Sequence, residues 1–103
     1  MNLSNYTIKA QQTIAAAQQL AFNNNNPSIE TEHLLQALLE DKDSTVSFLL
    51  KKNNVNAAFV AAKVTDAMAK LPKVQGAEPG AQIGRDLNTA LLKANSMLAT
   101  FGD

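Results

Sequence analysis

The sequence predicts an all-α fold built from a duplicated helical unit, with about five helices in this chain, and three observations lead there. First, one amphipathic helix occurs twice: moved forward by 77 positions, residues 6–26 fall on residues 83–103 with their apolar positions in register. Tyr6 lands on Ile83, Ala10 on Leu87, Ile14 on Leu91, Ala17 on Ala94 and Ala21 on Leu98, while polar Asn26 lands on Asp103. Second, apolar residues recur every three or four positions with little strict alternation, and alanine, the best helix former, is abundant. Third, the periodic stretches are separated by Asn, Pro and Gly clusters that interrupt helices.

The first helix is expected over about Asn5 to Phe22, capped by Ser4, whose hydroxyl can accept an N–H left free in the first turn. Its apolar stripe is Tyr6, Ala10, Thr13, Ile14, Ala17 and Ala21, with the glutamines mostly outside. So many small residues imply close helix–helix approach rather than a bulky core. Asn23 to Asn26 and Pro27 end it, because asparagine tolerates left-handed backbone and proline cannot continue the ladder. The Asn run reads only as a polar loop.

A second helix begins near Glu30 or Thr31 and carries Leu34, Leu35, Leu38 and Leu39. Asp41-Lys42-Asp43 is the turn, and Asp43 or Ser44 caps a third helix through Val46, Phe48, Leu49 and Leu50. Asn53 to Asn56 form the next break. Asn56 caps a fourth helix, about Ala57 to Lys70, with Val60, Val64, Ala67 and Met68 inward. Residues 72–82 hold two prolines and two glycines and read as a linker. The fifth helix, about Arg85 to Thr100, lines up Leu87, Leu91, Ala94, Leu98 and Phe101 on one continuous apolar face. That face is expected to pack on the first and fourth helices. Residues 1–103 thus divide into repeat one, about 6–71, the linker 72–82, and the start of repeat two, 83–103.

At 103 residues and 11.0 kDa the chain has room for one domain with a modest core. Nine basic residues balance nine acidic ones, so net charge gives no reason to bind nucleic acid or an anionic membrane. Lys51-Lys52, the only adjacent basic pair, reads as a solvated helix end. Without cysteine, a disulfide frame, a thiolate nucleophile and a Cys-based metal site are excluded. The N-terminal residues lack a basic region followed by an apolar run, and no stretch approaches the ~20 apolar residues of a membrane span. The expectation is a soluble, cytoplasmic protein.

Ile29-Glu30-Thr31-Glu32-His33-Leu34-Leu35-Gln36-Ala37-Leu38-Leu39 is similar to the Ile-x-x-Glu-His-Leu-Leu-x-x-Leu-Leu signature of the Clp N-terminal repeat domain. That domain stands at the front of AAA+ unfoldases of the ClpA, ClpB and ClpC type. Leu71-Pro72-Lys73-Val74-Gln75-Gly76 resembles the Leu-Pro-x-Val-x-Gly joint between repeats in ClpB-type disaggregases. Phe101-Gly102-Asp103 resembles the Gly-Asp that precedes the second copy of the signature, so the resemblance runs the length of the chain. It implies two four-helix repeats related by a pseudo-two-fold axis, with this chain stopping inside the second.

The resemblance further implies a client-binding domain of an ATP-dependent disaggregase, capturing exposed apolar segments of misfolded or aggregated proteins. The parent would be a homo-hexamer working with cochaperones. Thr7, Leu91 and Asp103 stand where the family has residues tied to chaperone function and to an apolar substrate groove, while Thr7 also reads as a helix-start residue and Asp103 as a cap for a missing helix. Lys93 occupies a position often apolar in the family, which makes this groove less greasy. No glycine-rich loop ending in Lys-Ser or Lys-Thr exists, so ATP and magnesium would belong to downstream modules of the parent. Two alternatives stand beside this one: an adaptor-docking domain of a protease-associated Clp unfoldase, and a stand-alone helical protein or small enzyme.

The enzyme reading has little to rest on. His33 is the only histidine, His-Glu-x-x-His is absent, and one imidazole with nearby carboxylates cannot close a zinc site. Near the start of a helix driven inward by its leucines, His33 is expected instead to bond to backbone groups. The bare part of the fifth helix is also expected to favour self-association.

Overall fold

The computed structural model describes residues 6–74 and 82–101, the side chains of 98–101 excepted. Helix α1 spans Ile8–Asn23, strand β1 Ser28–Ile29, α2 Thr31–Glu40, α3 Thr45–Lys52, α4 Ala57–Ala69, β2 Gln82–Ile83 and α5 Arg85–Phe101. Helix α1 therefore starts later than its periodicity suggests. Thr7 is extended (φ −62°, ψ 160°) and its hydroxyl accepts the Ala10 N–H at 3.0 Å, so it takes the capping place expected of Ser4. Ser4 itself lies outside the described residues.

The other caps fall where hydrogen-bonding side chains stand. Ser44 accepts the Ser47 N–H at 3.1 Å to open α3, and Asn56 accepts the N–H groups of Ala58 and Phe59 to open α4. Helices α1 and α3 leave by the same device, with Asn25 and Asn54 both at φ 58°, the left-handed backbone that asparagine tolerates.

Two short strands were beyond the reach of period-counting. β1 and β2 pair in parallel, Ser28 opposite Gln82 and Ile29 opposite Ile83, and the Gly84 N–H extends the ladder to Ile29 O at 2.8 Å. Each strand has only two residues, too few to show alternation. A Cβ at Gly84 would meet the carboxyl group of Glu30, which would have to swing aside. This bridge sets the start of α5 beside the β1–α2 joint, and α5 begins at Arg85, 77 positions after Ile8.

The core is small-residue packing, as the alanine content implies. Ala17 and Ala21 of α1 meet Ile29 and Ala37, and Leu87 of α5 closes the cluster. Burial of a leucine of this kind contributes roughly 2 kcal/mol. Leu20, Leu34, Ile83 and Leu91 pack around it at partial exposure. The cluster contains no α4 residue, so α5 does not join the core through the fourth helix as expected. Helix α4 packs on α2 instead, with Val64 buried.

Two apolar surfaces stay open. Phe48 and Leu49 point outward, 62% and 49% exposed, because α3 offers the interior only Val46 and Leu50, both half-buried. The apolar face of α5 is covered for only part of its length: Leu87 is buried and Leu91 half-buried, but Ala94 is exposed. The side chains of Leu98 and Phe101 lie outside the described set.

Candidate peptide-binding cleft

The start of α1 diverges from α2 and from the α2–α3 turn, and a cavity of about 340 Å³ lies between them. Ala10 and Ile14 of α1, Leu34 and Leu38 of α2, Val46 of α3 and Leu91 of α5 give it an apolar lining. Hydroxyls of Thr7, Thr13, Ser44 and Thr45 stand among them. Thr7 and Leu91, far apart in sequence, are thereby brought to one cleft, while Asp103 lies outside the described residues. Lys93 is exposed.

One edge of the cleft is ionic. Lys9 Nζ lies 2.6 Å from Asp41 Oδ2, tying α1 to the α2–α3 turn. The hydrogen bond from Lys9, aided by the Asp43 N–H donating to Asp41 Oδ1 at 3.0 Å, holds the Asp41 carboxyl below the ordinary carboxylate range. The same contact raises the Lys9 ammonium above its usual value. Ser44 braces the same turn: its hydroxyl donates to Leu38 O at 2.8 Å while serving as the α3 cap.

Such a lining can accept one or two large apolar side chains and hydrogen-bond an attached backbone. Among its described lining residues no hydroxyl is hydrogen-bonded to a basic or acidic side chain. Among the described residues no group of three or more His, Cys, Asp or Glu side chains could hold a metal ion.

His33 belongs to a different part of the molecule. Its side chain is fully buried, and Nδ1 accepts the Glu30 N–H at 2.8 Å. Nε2 therefore carries the proton and donates to Asn26 Oδ1 at 2.7 Å. Asn26 Nδ2 continues the chain to Pro72 O at 2.8 Å, and Asn24 Nδ2 donates both to Asn26 Oδ1 and to Met68 O. Burial lowers the His33 pKa below 6.5. Within the Asn run, read from sequence as a plain loop, Asn24 and buried Asn26 thus form a polar clamp joining the end of α1, the start of α2 and the exit of α4. A histidine four residues beyond Pro-Ser-Ile was the one visible hint of a polar partner.

Comparison with known proteins gives these features a family. The sequence profile described as the Clp repeat (R) N-terminal domain matches residues 5–103. The chain belongs to the Clp repeat N-terminal domain family. A relative in Porphyromonas gingivalis, the chaperone protein ClpB, is 38% identical over 79 residues, 77% of this chain and 9% of that protein. ClpB of Bacteroides thetaiotaomicron is 32% identical over 103 residues, all of this chain and 12% of that one. This Clp N-domain therefore spans about a tenth of the length of the curated relatives it matches. Among solved structures, the N-domain of ClpV from Vibrio cholerae superimposes with a TM-score of 0.84 at 19% identity, covering 95% of this chain and 57% of that one. That likeness establishes the mostly helical Clp N-domain fold. No described helix is long and apolar enough to cross a membrane.

Proposed function

We propose that this Clp N-domain is the client-capturing module of an ATP-dependent ClpB-type disaggregase, and that the cleft at the start of α1 receives apolar segments of misfolded proteins. The observation that carries the reading is the meeting of Thr7 and Leu91 at one apolar cavity. The shared ancestry with ClpB chaperones supports clients rather than a dedicated adaptor as the occupants.

The mechanism is recognition without bond-making. An apolar client side chain enters between Ile14, Leu34 and Leu91, contributing roughly 1.5–3 kcal/mol before the ordering cost of the client is subtracted. Thr7 presents an exposed hydroxyl at the mouth, and the Lys9–Asp41 pair fixes its width. Weak capture suits a domain that must hand its client onward. In a homo-hexameric parent, tethered copies raise avidity without any tight single site. ATP and magnesium act in the parent's downstream modules, and cochaperones act on the assembled machine.

The test is fluorescence anisotropy with a labelled, permanently unfolded client, comparing the parent sequence with Leu91→Asp and Thr7→Ala. Binding weakened by about tenfold or more in Leu91→Asp, with helicity retained, supports the reading. Unchanged affinity in both variants overturns it.

A further inference from the structure

Charge is segregated along this neutral chain. Residues 44–74, which hold α3 and α4, carry Lys51, Lys52, Lys63, Lys70 and Lys73 against a single acid, Asp66. The same segment exposes Phe48, Leu49, Val55 and Phe59, with the two phenylalanines 62% and 61% exposed. Both rings sit under ammonium groups: Lys52 Nζ is 5.9 Å from the Phe48 ring centre and Lys63 Nζ is 5.4 Å from that of Phe59. A groove of about 640 Å³ opens here, between the end of α2, α3 and the loop into α4, with Leu39, Phe48, Val55, Lys42 and Lys51 in its walls. Among the described residues, neither Lys42, Lys51 nor Lys52 is held in an ion pair.

We propose that this groove is a second docking surface, adjoining the client cleft, for an acidic amphipathic polypeptide segment. The apolar side chains of the segment lie on Leu39, Phe48 and Val55, and its carboxylates face Lys42, Lys51 and Lys52. Charge complementarity selects this occupant. Lys42 and Lys51 stand in the walls beside Leu39, Phe48 and Val55, so a ligand that engages the whole groove offers carboxylates and apolar side chains together. A nucleic acid backbone would meet Asp43 in the wall and find lysines only, without the planar fork that grips phosphate. A flat anionic bilayer leaves a recessed groove unfilled. The two surfaces share Asp43 and Ser44, so an occupant of one groove lies next to the other.

The experiment measures anisotropy of a labelled probe of about twelve residues in which Glu and Asp alternate with Leu and Phe. Two controls accompany it, one with every acid replaced by Lys and one with every apolar residue replaced by Ala. The acidic amphipathic probe binds at least about tenfold more tightly than either control, and its affinity falls as salt is raised. The charge reversal Lys42→Glu with Lys51→Glu, both on exposed positions, weakens binding by about tenfold or more, and Phe48→Ser does so independently. Leu91→Asp leaves probe binding unchanged, which separates this surface from the client cleft. Equal binding of the lysine control, or undiminished binding by the charge-reversed variant, overturns the proposal. So does preferential displacement of the probe by DNA or by phosphatidylglycerol vesicles at matched charge.

Discussion

His33 Nε2 donates to Asn26 Oδ1 across 2.7 Å in the interior, seven residues apart in sequence but at the junction of three helical segments. With Nδ1 occupied by the Glu30 N–H, this imidazole has both nitrogens satisfied and only one tautomer available. His33→Ala is expected to destabilise the domain by about 2–4 kcal/mol, since it opens a cavity and orphans both the Glu30 N–H and part of the Asn26 amide. Urea unfolding monitored by circular dichroism measures it. A loss below experimental error would remove the clamp from the account.

The same geometry gives a pH dependence. Burial sets the native pKa of His33 below the unfolded value of 6.5, so between the two the unfolded chain binds more protons than the native one. Stability contributed by neutral His33 is then complete above 6.5 and is lost as pH falls toward the native pKa. Glu30 acts oppositely: burial, then repulsion from Glu32 and Asp86, raises its pKa above 4.5, so its contribution falls as pH rises from 4.5 through the native value. A His33→Gln variant isolates the first effect. Its stability profile is expected to be flatter than that of the parent just below 6.5, and the NMR titration of His33 in the parent should have its midpoint below 6.5.

Lys9→Ala should release the Asp41 carboxyl. Its pKa is held below 3.8 chiefly by the hydrogen bond from Lys9, so the substitution is expected to move it back up, as read by carboxyl-carbon NMR. Little stability should be lost, because the pair stands at the surface. If the Asp41 titration does not move, the ion pair is not the rim of the cleft in solution.

Ser44→Ala removes a cap and the bond to Leu38 O together. It is expected to cost about 1–2 kcal/mol and to loosen the turn between α2 and α3. Amide hydrogen exchange at Ser47 and Phe48 should speed up selectively, while exchange in α1 stays slow.

How much of this was legible in the sequence depends on the length over which each feature repeats. Helices of eight or more residues announce themselves through spacing, and Ser44 and Asn56 were readable as caps because a hydroxyl or amide stood at each break. Ser4 and Thr7 are both hydroxyl residues near the start, and only backbone conformation decides that Thr7 caps the helix. The β1–β2 bridge was invisible: two residues carry no period, and its partners lie far apart in the chain. The polar clamp was equally hidden, since an Asn run looks the same whether water or His33 satisfies it. Exposure of Phe48 and Leu49 follows from tertiary placement of α3, which local hydrophobicity does not report. For the cleft, Thr7 and Leu91 came from family resemblance, whereas the lining by Leu34, Leu38 and Val46 needed the fold.

Client capture at the cleft is tested by an NMR titration of the isotopically labelled domain with an unfolded client protein. The largest amide shifts are expected at Thr7, Ala10, Leu38 and Leu91, saturating together with one weak affinity, with little change at the His33–Asn26 clamp. Shifts that leave Leu91 and its cleft neighbours untouched, or that spread evenly over the surface, would contradict it.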